Sequence, residues 1–211
     1  MSAAVFHLST RLRIRQPARI RHLAVAPEQR QITVCFTGHR QLTDQETNTV
    51  SAKLDLLLPK LYQQGYRRFL CGGALGFDTL AAEAVMRLQA TYSAVMLVMA
   101  IPCATQAMRW NEADTRRYEH ILYAADETHV LSPAYYNGCM MVRNRFMVDR
   151  SALCVCYLNK MKGGTMSTVA YAVQEKLSVL NLAMADDDTA SSEQCRYLTV
   201  AGADPNGSLR S

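Results

Sequence analysis

The chain has 211 residues, of which 49% are apolar and 19% charged, enough to bury a core and to exclude disorder throughout. No apolar run approaches the ~20 residues that span a bilayer, which excludes a membrane-spanning helix. The formal charge of +5 sits wholly in residues 1–30, where Arg11, Arg13, Arg15, Arg19, Arg21 and Arg30 face one acid, Glu28. The remainder is neutral and carries no bulk field for a polyanion.

Residues 1–30 read as a basic extension. They lack the h-region of a secretory signal, and their Arg-rich composition leaves a transit peptide and a solvated tail as alternatives. From residue 31 to 185, strand-like runs alternate with helical patterns. Ile32 to Phe36 is β-rich. Thr43 opens a helix with a capping box closed by Glu46. Leu54, Leu57, Leu58 and Leu61 form its apolar face, Pro59 is expected to kink or split it, and Gly65 to stop it. Arg68 to Cys71 is a second strand. Leu80, Ala81, Ala84, Val85 and Leu88 mark a second helix. Ala94 to Ile101 reads as a strand buried on both faces.

Residues 111–125 read as a helix, 127–131 as a strand and 139–149 as a helix. Residues 152–158 form another strand, 165–176 a helix and 178–182 a last strand. Residues 186–211 have loop-like composition. The fold class is therefore α/β, Rossmann-like, a mostly parallel sheet with helices on both faces. Seven cysteines in a chain this long fit thiols in a reducing cytoplasm. Cys154 and Cys156 share one strand face, and no pair at zinc-ligand spacing accompanies them, so no metal is expected.

In such sheets ligands bind beyond the carboxyl ends of the strands. Those ends carry Gly38-His39-Arg40, Gly72-Gly73-Ala74-Leu75-Gly76-Phe77-Asp78, Pro102-Cys103 with Gln106 and Trp110, and Gly163-Gly164-Thr165. A glycine turn followed by a helix N-terminus makes an anion site. Two such turns on one edge suggest a ligand with several anionic groups, or a phosphate and a ribose. Neither a dinucleotide-binding Gly-x-Gly-x-x-Gly at the first turn nor a Walker loop is present.

Taken in order, these motifs together with Thr37, Arg143-Asn144-Arg145 and Asp149 resemble the YpsA-like branch of the SLOG superfamily over about residues 32–182. That superfamily groups the bacterial DNA-processing protein of transformation with cytokinin-activating phosphoribohydrolases. The resemblance implies a pocket for a nucleotide-derived, ADP-ribose-like ligand. The hydrolases pair an Arg, matched by Arg143, with a Glu after the glycine turn. Here Ser167 and Thr168 stand where that Glu is expected, and neither can act as a catalytic carboxylate. Whether the protein is an enzyme is thus left open.

Individual residues carry alternatives. Arg143 is either the contact completing the anion site or a surface residue. Arg145 is expected to pair with Asp149 at i+4. His39 is a rim packing residue or a titrating group. Asp78 caps a helix or accepts from a ribose hydroxyl. Gln106 and Trp110 are one helical turn apart, with Trp110 as core or as a stacking surface. Three functions follow: a nucleotide-ligand sensor, an N-glycosidase, and a binder of single-stranded DNA. The first is favoured, in the cytoplasm, with a homodimer left open; with a neutral body, nucleic acid is not expected.

Overall fold

The computed structural model describes residues 26–184. The elements in chain order are α1 (Pro27–Gln31), β1 (Thr33–Gly38), α2 (Asp44–Gln63), β2 (Arg68–Cys71), α3 (Phe77–Gln89) and β3 (Met96–Ile101). They continue as α4 (Glu112–Ala124), β4 (Glu127–Val130), α5 (Cys139–Asp149), β5 (Leu153–Tyr157), α6 (Gly163–Gln174) and β6 (Ser178–Asn181). The six strands form one all-parallel sheet in the order β4-β3-β2-β1-β5-β6. This is the α/β, Rossmann-like architecture the alternation implied. Residues 27–30, read as part of the basic extension, already belong to α1, and Arg30 Nε donates to the Ser151 carbonyl at 3.1 Å.

Alternation along each strand divides the core between the two faces. Val34, Phe36, Phe69, Leu97 and Met99 meet Leu54, Leu58, Phe77 and Val85 from α2 and α3. Cys35, Leu70, Val98, Cys154 and Cys156 meet Met147, Val148, Val169 and Ala172 from α5 and α6. Cys154 and Cys156 thus share a face, as their spacing requires. The six described cysteines are all buried and free. Cys195 lies outside the described residues.

Local chemistry sets the ends of α2. The Thr43 hydroxyl accepts from Glu46 N–H, and the Glu46 carboxylate accepts from Thr43 N–H at 2.8 Å. At the other end Gly65, at φ +98°, closes a Schellman turn, with Tyr66 N–H on the Leu61 carbonyl and Gly65 N–H on that of Tyr62. Pro59 does not split the helix: Asp44–Gln63 is one element. The buried leucines on both sides of Pro59 hold the segment helical despite the missing N–H.

The strand order reverses direction of growth between β1 and β5. From β1 the chain builds outward through β2, β3 and β4, then returns to place β5 on the other side. The loops leaving β1 and β5 therefore diverge at their carboxyl ends, the position at which sheets of this kind form a binding crevice. Gly38 pairs with Tyr157 at this edge.

Candidate functional site

Three loops frame the crevice: 39–43 after β1, 72–76 after β2 and 158–162 after β5. The third opens α6 and is the most exposed. Lys160, Lys162, Gly163 and Gly164 are all solvent-exposed, and a side-chain carbon at Gly164 would meet nothing within 4 Å. Gly163 adopts φ +83°, a conformation that favours glycine. The first turn of α6 has no acidic residue and no capping side chain. Its backbone N–H groups and the positive end of its dipole face solvent beside two lysines.

The turn after β2 has a different character. A side-chain carbon at Gly72 would fall inside the Arg143 guanidinium, and one at Gly38 would overlap the Phe77 ring. Ala74 N–H donates to Asp78 Oδ2 at 3.3 Å, and Phe77 N–H donates to the His39 carbonyl at 3.1 Å. Protein acceptors thus take N–H groups that the sequence offered to an anion. These glycines make room for close packing of a ring and a guanidinium.

Arg143 and Asp78 meet at the Gly72 turn. Both are buried, and Arg143 Nη1 lies 3.3 Å from Asp78 Oδ2. Asp78 therefore does not cap α3, and Arg143 is not on the surface: its guanidinium lies against Gly72, one of the glycines of the expected anion site. Burial pushes the Asp78 carboxyl up, against the opposing pull of Arg143, and lowers Arg143. Arg143 Nε has no hydrogen-bond partner among the described residues.

Arg145 does not pair with Asp149 as expected. Its guanidinium lies over the Tyr171 ring at 5.3 Å, and the Tyr171 hydroxyl donates to Asp149 at 2.8 Å. Gln106 and Trp110 lie in turns ahead of α4, not on a helix. Gln106 Nε2 donates to the Gly73 carbonyl at 2.5 Å, and Trp110 packs edge-on against Tyr118. Thr168, at the expected place of the hydrolase Glu, is buried; its hydroxyl accepts from Asn144 at 2.6 Å and donates to the Gly164 carbonyl. Thr165 is buried one turn earlier.

His39 has a partner that the sequence did not reveal. Its Nε2 accepts from Lys160 N–H at 3.3 Å, and its ring meets Tyr157 edge-on. Burial, then Lys160, lowers its pKa against the pull of Glu46. Arg40 is exposed and reaches the Met140 sulfur at 3.8 Å.

A carboxylate missed in the sequence also stands here. Glu46 Oε1 accepts from the Tyr157 hydroxyl at 3.0 Å and from Asn159 Nδ2 at 2.6 Å. The Thr43 backbone, then Tyr157, holds its pKa below the usual value. The capping box absorbed Glu46 in the sequence reading. The only signal for the second role was the Tyr157-x-Asn159 pair at the end of β5. No group of three potential metal ligands exists among the described residues. No described helix is long and apolar enough to cross a membrane.

A parallel sheet with a crevice at the β1/β5 reversal and a glycine-led helix beside it defines a Rossmann-like domain of the SLOG class. The chain belongs to the YspA SLOG family, whose profile matches residues 34–185. Its relatives include a UPF0398 protein of Halalkalibacterium halodurans, 31% identical over 109 residues, covering 51% of this chain and 58% of that one. Another, from Bacillus licheniformis, is 27% identical over 144 residues, covering 65% and 78%. The chain thus spans little more than half of the first relative's length.

Among solved structures, DNA processing protein A of Streptococcus pneumoniae superposes with a TM-score of 0.53 at 21% identity, covering 71% of this chain and 49% of that one. The Helicobacter pylori protein of the same name, described as binding single-stranded DNA, gives 0.52 at 20%, covering 71% and 64%. At these identities the likeness is one of fold. The expectation against nucleic acid finds no support in these neighbours.

Proposed function

We propose that the protein binds a nucleotide-derived ligand in the β1/β5 crevice, with a phosphate on the N-terminus of α6. The observation that carries this reading is the open first turn of α6: Gly163 at positive φ, free space at Gly164, no acid, and Lys160 and Lys162 alongside. Such a turn accepts an anion through backbone N–H groups without reorganisation. His39 is joined to the loop before α6 through Lys160 N–H, and exposed Arg40 follows it in the chain. The reading favours binding over glycosidic cleavage, because Thr168 replaces a carboxylate and its hydroxyl is already engaged.

The test is thermal stabilisation with inorganic phosphate, AMP, NAD, ADP-ribose and ATP. A ligand that binds only the native state stabilises it by RT ln(1 + [L]/Kd). A saturable shift supports the reading, and product analysis of the same sample separates a sensor from an enzyme. No shift with any of them overturns it.

A second reading has its own observation. Tyr135 and Tyr136 are exposed on the loop before α5, beside exposed Met108, and the two loops are joined by Tyr135 N–H on the Thr105 hydroxyl at 3.2 Å. Exposed rings are what a single strand stacks on. A short DNA strand in the same panel tests it: a shift that salt removes favours this alternative.

A further inference from the structure

The capping box explains one half of Glu46 and leaves the other unexplained. A helix cap needs only the contact between Glu46 and Thr43 N–H. Here Tyr157 and Asn159, from β5 and the loop after it, also reach the same carboxylate. These residues are more than a hundred positions away in the chain and meet Glu46 at the strand-order reversal. Asn159 stands four residues ahead of Gly163.

An ionised carboxylate offers about four lone-pair sites, and three donors occupy Glu46: Thr43 N–H, the Tyr157 hydroxyl and Asn159 Nδ2. One site stays free on a half-buried group. Asn159 must donate through its nitrogen to reach a carboxylate, which fixes its amide and leaves Oδ1 as an acceptor. Asn159 is exposed. Two acceptors, held by a shared hydrogen bond, therefore stand next to an anion-binding turn. That combination matches a sugar phosphate: acceptors for hydroxyl donors beside N–H groups for the phosphate. Asp78, the other carboxylate near the crevice, is buried against Arg143 and is not available for this task.

We infer that Glu46 and Asn159 form a subsite for the vicinal hydroxyls of a ribose, so that the crevice selects ribosyl over deoxyribosyl phosphates. This rests on the phosphate site at α6 proposed above. The free Glu46 oxygen lone pair accepts from one hydroxyl and Asn159 Oδ1 from its neighbour. Removing one hydroxyl leaves an acceptor without a donor, and a hydrogen bond to a charged group is worth roughly tenfold or more in affinity.

The experiment compares inorganic phosphate, ribose 5-phosphate and 2-deoxyribose 5-phosphate by calorimetry on the full chain. It is repeated on Glu46→Gln and Asn159→Ala. Gln at this position keeps the capping box, so folding is preserved, and Asn159 lies on an exposed loop. The expected result is phosphate binding in all three proteins. Ribose 5-phosphate binds about tenfold tighter than its deoxy analogue in the parent chain, and both substitutions narrow the difference. Equal affinity for the two sugars with phosphate still bound overturns the ribose subsite and leaves the α6 site standing. A preference that survives both substitutions overturns the assignment to Glu46 and Asn159. No binding of any of the three overturns the phosphate site and this inference together.

Discussion

The buried pair Arg143–Asp78 makes an asymmetric prediction about pH. Each side chain is 6% exposed, and a single contact of 3.3 Å joins them. Removing one partner of a buried pair leaves the other uncompensated and costs about 3–5 kcal/mol. For a domain of this size each kcal/mol moves Tm by about 2–4 °C, so either single substitution should lower Tm by roughly 10 °C. The two differ in how they respond to acid. Asp78→Ala strands a guanidinium that stays protonated throughout and removes the parent's raised carboxyl, whose protonation favours the native state, so its deficit does not shrink as pH falls and grows as pH passes through the parent's folded value. Arg143→Met strands a carboxyl whose pKa burial has already raised and which rises further without Arg143. A carboxyl with a folded pKa above its unfolded value binds a proton better in the native state. Protonation then relieves the buried charge, so the Arg143→Met deficit is greatest at high pH and shrinks as pH falls through the folded value. The double variant buries no charge and should recover at least about half of the loss. Urea denaturation of all four proteins across that pH range reads each quantity. Two single deficits below about 1 kcal/mol, or an Arg143→Met deficit that grows on acidification, would refute the reasoning.

Three further outcomes follow from the same geometry. Gly164→Asp should abolish binding of inorganic phosphate while the domain stays folded, because the new side chain enters open space. An acid in the first turn of α6 should itself raise stability by about 0.3–1 kcal/mol; unchanged phosphate affinity by calorimetry would remove the α6 site. Gly72→Ala should cost about 3 kcal/mol or more by displacing the Arg143 guanidinium. In the Arg143→Met background the same substitution should cost markedly less, and additive losses in a double-mutant cycle would contradict the contact. In a Cys195→Ser variant, Cys35, Cys71, Cys103, Cys139, Cys154 and Cys156 should resist a thiol reagent until the protein unfolds, since all six are buried and burial pushes Cys156 up to about 12. Rapid labelling of the native protein would show that one of them is exposed.

The alternation of strands and helices was legible because it is local. Capping chemistry at Thr43, the double-faced apolar runs of β1, β3 and β5, and the stop at Gly65 each lie within a few residues. What was not legible depended on partners far along the chain. Gly38 and Gly72 look like phosphate-turn glycines, but a glycine announces only that a side chain is missing, not what fills its place. Here a phenyl ring and a guanidinium fill it. Arg143 was singled out, but its partner Asp78 is 65 residues away in the chain, and no spacing rule connects them.

The same limit explains Glu46. Its local role is complete within four residues, so nothing near it in the chain pointed to a second one. Only the strand order sets β5 against β1 and brings Tyr157 and Asn159 to it. In a doubly wound sheet the edge where strand order reverses is where distant loops must meet. The chemistry that the sequence conceals most thoroughly is thus assembled at the position where a ligand is best accommodated.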